Sequence, residues 1–312
     1  MLNASVYIAL CVFAMTPWSS SATALVLGIL VSLGLQLKPP SWAKPASRNV
    51  MQVAIVMMGF AMDPVQVIAS GREGILITLV SLLLALGIGK LLALAFKVER
   101  DVGFLISAGT GICGGSAISS LSPIMNAKDE DVAISLACVF CLNAVALILF
   151  PEIGRYFSLT PEQFGWFAAI AIHDTSSVVG AASEFDSASL TTAVTAKLTR
   201  ALWIIPMMFA LSALLRYRNS KGLQADSAKV KWPIFIFVFI GCVALHGVLP
   251  DMPVVYGWFE TSGRALLKVA IFLTGTQLTR SIVHRVGPRS FAQATCLWLV
   301  MLCVTLLWVR TI

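Results

Sequence analysis

The chain has 312 residues, of which 58% are apolar and only 12% charged, with a formal net charge of +7 and a mean hydropathy of +0.88. A soluble domain of this size carries about a quarter charged residues, so the composition excludes one and leaves no room for a sizeable soluble appendage. Apolar runs of about 16 to 24 residues, close to the ~20 that cross a bilayer core, recur along the whole length, and the chain reads as an all-α polytopic membrane protein.

Eleven transmembrane helices are expected in chain order, at about 2–16, 22–37, 49–69, 74–96, 102–126, 132–151, 163–183, 189–215, 232–249, 263–279 and 290–310. The first two are short enough to be tilted, re-entrant or half-length. The 2–16 stretch lacks a basic n-region, and Pro17 and Trp18 stand where small cleavage-site residues belong, so it reads as mature structure rather than as a signal peptide. Lys90, Lys197, Arg200 and Lys268 fall inside spans. Alternation puts fourteen of the other Lys and Arg residues on one side and only Arg72, Lys128, Arg264 and Arg310 on the other. By the positive-inside rule this places the N-terminus in the cytoplasm and the C-terminus outside, periplasmic or extracellular. The net charge is then a topology signal, dealt out over short loops rather than gathered on a nucleic-acid-binding face.

The chain reads as one membrane domain over 1–312, with a first half of about 1–155 and a second of about 160–312. Its longest hydrophilic stretch, RYRNSKGLQADSAKVK at 216–231, is expected to be a basic cytoplasmic linker. Residues 53–62, VAIVMMGFAM, echo 269–278, VAIFLTGTQL, seven spans later and so in the opposite orientation, as in the inverted repeats of secondary transporters. A five-plus-five repeat would instead pair span five with span ten, and chance also matches apolar ten-mers; the register stays open. All seven cysteines lie inside predicted spans, as small buried hydrophobes do. No CxxC, metal-type cluster, Walker loop, GxSxG or HExxH nominates an enzyme, a metal site or a cofactor.

Span five carries the segment GTGICGGSAISSLSPIMNAKDED, 109–131. Four glycines in seven residues, Gly109, Gly111, Gly114 and Gly115, weaken a helix by about 1 kcal/mol each relative to Ala, and Pro123 removes a further hydrogen bond. A helix unwound near Cys113–Ser116 would expose free N–H groups at the start of its second half, where the dipole favours an anion, with Ser116, Ser119 and Ser120 as hydroxyl donors. Gly111 and Gly115 also form a small-xxx-small pair, so a tight packing face explains the same residues. Span seven carries AIAIHDTSSVVGAASEF, with His173 and Asp174 at mid-membrane depth followed by Thr175, Ser176 and Ser177. An ionisable residue there costs about 2.5–3.5 kcal/mol and should face protein or water. Span eight places Lys197 and Arg200 three apart on one helical face, and fixed positive charge beside a broken helix suits an anionic substrate. Gln52, Lys90, Asn143, His246 and Gln277 are single intramembrane polar residues without rank.

These three segments closely resemble the YeiH family of bacterial inner-membrane proteins, to which sulfate export is ascribed. The likeness extends over nearly the whole chain and is specific in 105–206. Asp174 stands where that family more often has Glu or another residue. The CGGSAISS…AKDEDVAIS pattern is also distantly similar to the broken crossing helix of the bile-acid:sodium symporter superfamily. That resemblance implies an alternating-access carrier with two discontinuous crossing helices, inverted repeats and core and panel domains. The reading is a secondary transporter of a small anion in the bacterial inner membrane, with sulfate or sulfite, or another organic or sulfur-containing acid, as substrate. Cys113, Gly114, Gly115, Ser116, Ser119, Ser120, Thr175, Ser176, Lys197 and Arg200 would bind it. His173 and Asp174 would couple it to protons or sodium. Membrane lipid and the anion are the expected partners, nucleic acid is not, and a homodimer is left open. An anion channel, and a membrane sensor or scaffold without transport, are the rival readings.

Overall fold

The computed structural model describes residues 2–218, 234–249, 252–280 and 286–312; most of the basic stretch at 216–231 lies outside them. The described residues form helices and no strand. The helices are α1 (Leu2–Met15), α2 (Ser21–Ile29, continued by a π-helical turn Leu30–Gly34), α3 (Ala43–Gly59), α4 (Pro64–Ala95), α5 (Arg100–Gly111), α6 (Gly115–Met125) and α7 (Asp129–Tyr156). Then come α8 (Pro161–Ala171), α9 (Thr175–Phe185), α10 (Ser189–Leu202), α11 (Ile204–Arg218), α12 (Ile234–Val248), α13 (Pro253–Gly275) and α14 (Pro288–Val309).

Four of these are long and apolar enough to cross a membrane: α4, α7, α10 with α11 over Ser189–Leu215, and α14. Their starts follow from capping chemistry. The Asp63 side chain accepts the Val65 N–H at 2.9 Å with Pro64 in the first turn of α4, and Thr160 forms a capping box with Gln163 ahead of Pro161 in α8. The α10–α11 helix is interrupted at Trp203 because Pro206 has no N–H to offer the Leu202 carbonyl.

The helices form two groups. α4 to α11 and α14 pack around α7 and α10, while α1, α2 and α3 gather on α13 and α12 lies against α3 and α4. α3 and α13 run antiparallel. The Ser47 hydroxyl donates to the Ala270 carbonyl at 3.1 Å, and Gly263 lies against Ala54, Met57 and Met58. These are the helices that carry the sequence echo, and they end at Gly59 and Gly275. α2 meets α13 backbone to backbone at two facing glycines: a Cβ on Gly28 would sit 2.3 Å from the Phe272 carbonyl, and one on Gly275 2.6 Å from that of Leu25.

The structure differs from expectation at spans five and seven. Both are broken, yet neither continues across. Lys128, just after α6, lies 3.7 Å from Glu99, just before α5, and the Ser135 hydroxyl of α7 reaches the Val102 carbonyl of α5. α5 and α6 are thus the arms of a re-entrant hairpin with both ends at the start of α7. α8 and α9 form a second hairpin at the other end of α7. Phe164 of α8 stacks on Phe185 of α9 at 4.0 Å, both rings pack on Gly154, and Arg155 donates to the Glu184 carbonyl at 2.7 Å. The physical reason is the break itself: three non-helical residues, 112–114 and 172–174, free the chain to reverse. From the first break onward the helix boundaries recur sixty residues later, Gly111 and Ala171, Gly115 and Thr175, Met125 and Phe185, and the starts of the helices that follow, Asp129 and Ser189.

Because each hairpin returns to the side it left, Lys128 moves to the basic side of the charge count and Arg155 leaves it. The fourteen-to-four split is unchanged, since the two exchanges cancel. A direct check is a double variant, Glu99→Cys with Lys128→Cys, treated in membranes with a short bifunctional thiol reagent. The hairpin predicts efficient cross-linking; residues 100–125 drawn as one straight helix would run about 39 Å and give none.

Candidate functional site

The tips of the two hairpins meet inside the protein. Gly114, at φ +62°, occupies a conformation that L side chains rarely adopt; a Cβ there would lie 3.4 Å from the His173 Cβ and 3.1 Å from Val139. The turn is closed by Gly114 N–H donating to the Gly109 carbonyl at 2.8 Å. At the second tip the His173 N–H donates to Asn143 Oδ1 of α7 at 3.1 Å.

A helix broken inside a membrane leaves free carbonyls where one arm ends and free N–H groups where the next begins. The carbonyl ends are closed by Lys197 and Arg200, both fully buried. Lys197 Nζ donates to the carbonyls of Ile172 at 2.6 Å and Ala169 at 3.2 Å, at the end of α8. Arg200 spans both hairpins: Nε donates to Gly111 at 2.6 Å, Nη2 to Thr110, and Nη1 to Ile170 at 2.5 Å and Ala169 at 3.2 Å. One guanidinium therefore ties the end of α5 to the end of α8, using the planar fork that an ammonium lacks.

The N–H ends differ. Asp174 caps α9, its Oδ1 accepting from the Ser177 N–H at 2.6 Å and the Ser176 hydroxyl at 3.0 Å. Gly114 gives α6 no side-chain cap. Ser116 and Ser119 are exposed and Ser120 half-buried along α6, whereas α9 is covered from Ser177 to Ala182 and packs on α2 and α13.

Of the sequence-derived residues, Cys113, Gly114, His173, Asp174, Lys197 and Arg200 converge at the junction. Gly115 and Ser116 open α6 beside it, and Thr175 and Ser176 open α9. Ser119 and Ser120 lie a turn further along α6. Lys197 and Arg200 are engaged by backbone carbonyls instead of standing free. Both His173 ring nitrogens are buried without a partner, as are Asn143 Nδ2, Thr110 Oγ1 and Thr195 Oγ1. Asn143 and Thr110 belong to the site, yet nothing in the sequence distinguishes them from other lone polar residues in apolar spans. Among the polar residues left without rank, His246 bonds the Phe60 carbonyl at 2.6 Å and lies far from the tips in sequence and contact. Lys268, placed near a span end, donates to the carbonyls of Thr16 and Ser19.

Long apolar helices joined to polar-tipped helical hairpins define a multi-pass helical membrane protein. The chain belongs to the family described as Conserved hypothetical protein 698, whose model matches residues 1–261. It is 39% identical over 298 residues to a UPF0324 membrane protein of Bacteroides thetaiotaomicron, covering 95% of this chain and 88% of that one. It is 38% identical over 307 residues to one of Geobacter sulfurreducens (97% and 94% covered) and 41% over 299 residues to one of Vibrio vulnificus (94% of each). No solved structure matches.

The carbonyl caps make a stability prediction. Arg200→Ala strips partners from Thr110, Gly111 and Ile170, and an unsatisfied buried acceptor costs about 1–3 kcal/mol. Thermal unfolding in detergent should show a loss of about 3 kcal/mol or more, with Arg200→Lys recovering little because one ammonium cannot reach both helix ends. Lys197→Met should cost less, since the Ala169 carbonyl keeps its bond to Arg200.

Proposed function

We propose that the protein is a secondary transporter of a small anion, an oxyanion such as sulfate or sulfite or a small organic acid, working by alternating access. The observation that carries this reading is the charge and donor inventory where the two hairpin tips meet. Two fully buried basic side chains, Lys197 and Arg200, stand at the tips with one carboxylate, Asp174, so the inventory there has a basic excess. The uncapped α6 terminus, with the Ser116 hydroxyl, supplies donors beside that excess. The ring of His173 and the amide of Asn143 add polar atoms without partners. An anion balances the charge and occupies the donors; a cation does neither.

Alternating access is supported by the uneven cover of the hairpins. The sixty-residue offset supports reading each hairpin and its following helix as an inverted copy of the other, the arrangement by which secondary transporters build two equivalent states. Here α9 is closed against α2 and α13 while the equivalent face of α6 is open. Exchange of that cover, by movement of the hairpin group against the α13 group, would pass the site from one side to the other. His173 and Asp174 would carry the coupling proton or sodium. In this reading the α6 side is cytoplasmic and the membrane is the bacterial inner membrane. The resemblance of the α6 segment to bile-acid:sodium symporters agrees with it.

Thermal unfolding of purified protein against a panel of anions, with and without sodium, tests the substrate class. A ligand that binds only the folded state at one hundred times its Kd adds about 2.7 kcal/mol of apparent stability. One anion class should produce such a shift, and Ser116→Ala should demand a higher concentration of it without changing the unliganded Tm. A folded protein that responds to no anion sinks the proposal. For the mechanism, Ser119→Cys should react with a polar thiol reagent several-fold faster than Val179→Cys, the sixty-residue equivalent, and substrate should alter that ratio. Equal rates unaffected by substrate would point to a static pore.

A further inference from the structure

A second polar site lies away from the hairpin tips, on the outer wall of the hairpin group. A groove of about 820 Å³ runs between α4, α8 and α14, lined by Arg72, Glu73, Glu162, Trp166 and Trp308, with Leu76 and Ile77 along its floor. We propose that this groove binds a phospholipid through a phosphoethanolamine headgroup.

Three observations carry the assignment. The first is depth. α4 carries adjacent charges at Arg72 and Glu73, and from Gly74 to Ala95 its only charged residue is Lys90. The pair therefore marks the level where hydrocarbon gives way to headgroups. The half-buried Trp308 lines the groove at the same level, edge to face at 5.9 Å with the buried Trp166, and a partly exposed tryptophan favours that interface. The second is charge. Among the described residues the ion pairs within 4.0 Å are Lys128–Glu99, Arg155–Glu152 and Arg264–Glu260, so Arg72, Glu73 and Glu162 have none. One unpaired cation and two unpaired carboxylates around one groove match a zwitterion: the lipid phosphate on Arg72 and its primary ammonium between Glu73 and Glu162. A phosphatidylglycerol headgroup would satisfy Arg72 alone and face two carboxylates. A choline headgroup has no N–H to donate to them. The third is continuity. Leu76, Val80 and Leu83, at 68%, 48% and 59% exposure, follow one face of α4 away from the groove. This is a lane along which acyl chains would lie at i, i+4, i+7 spacing.

The test uses the full-length protein, stripped of lipid in detergent and supplied with phosphatidylethanolamine, phosphatidylcholine or phosphatidylglycerol of identical acyl chains, or with water-soluble glycerophosphoethanolamine. Thermal shift and native mass spectrometry are the readouts. Phosphatidylethanolamine should give the largest shift and survive as a bound adduct, and the soluble headgroup should give none. Arg72→Ala should abolish the adduct. Glu73→Gln with Glu162→Gln should reduce the phosphatidylethanolamine shift to that of phosphatidylcholine. Lys97→Ala, at the opposite end of α4, should leave it unchanged. Equal or larger effects from phosphatidylglycerol, an adduct that survives Arg72→Ala, or a dimer that carries no lipid would each overturn the proposal, the last by making a second copy the occupant.

Discussion

A backbone carbonyl that loses its helical partner inside a membrane must find another donor. Breaking two helices inside the protein creates several such carbonyls at once, at Thr110, Gly111, Ala169, Ile170 and Ile172. Two side chains one turn apart on α10 meet nearly all of that demand. The rest of the hairpin group follows. α10 must pass both tips within side-chain reach, so it packs tightly on α8, where Gly165 admits the backbone of Ser189 and Ala193. The tips must approach each other, so Gly114 has no side chain to keep them apart. α7, lying between hairpins that enter from opposite ends, supplies Asn143 to the second tip.

This arrangement makes the two ends of each break unequal. Basic side chains fill the negative ends of α5 and α8, where the helix dipole already favours them. The positive ends are treated differently in the two hairpins. Asp174 caps α9 with its own carboxylate, and the covered side of that arm rests on α2 and α13. Gly114 caps nothing, and α6 keeps its first N–H groups and its exposed serines on an open side. At the two cap positions glycine, Gly114, thus stands where the other hairpin has aspartate, Asp174.

That a helix breaks at 109–126 is legible in the sequence, because Gly, Ser and Pro oppose an uninterrupted helix whatever surrounds them. Where the chain goes after the break is not. Hydropathy counts apolar residues and is blind to whether they run across or fold back. Charge bias fails here for a specific reason: two hairpins transfer one basic residue each way. That Lys197 and Arg200 lie within span eight on one helical face is readable from the sequence. That both are fully buried is not, since long basic side chains can also snorkel to an interface. Nor are their partners, since backbone carbonyls carry no sequence signature. The echo between 53–62 and 269–278 corresponds to helices that pack antiparallel and end on glycine. The sixty-residue correspondence escapes inspection because ICGGS and IHDTS share only the isoleucine and the serine.

The tethering of both cations also shapes what the site can select. A lysine or arginine free to swing would grip an anion directly and, in a dry interior, hold it too strongly to release. Here each cation already spends its donors on carbonyls, so it acts as fixed background charge. In the proposed reading, direct contacts with an anion would fall to the N–H groups of α6, to hydroxyls and to the polar atoms of Asn143 and His173. Background charge sets the sign of what is tolerated, and the directional donors set its shape. A site divided in this way can discriminate among anions while binding each only moderately, and turnover across a membrane requires that moderation.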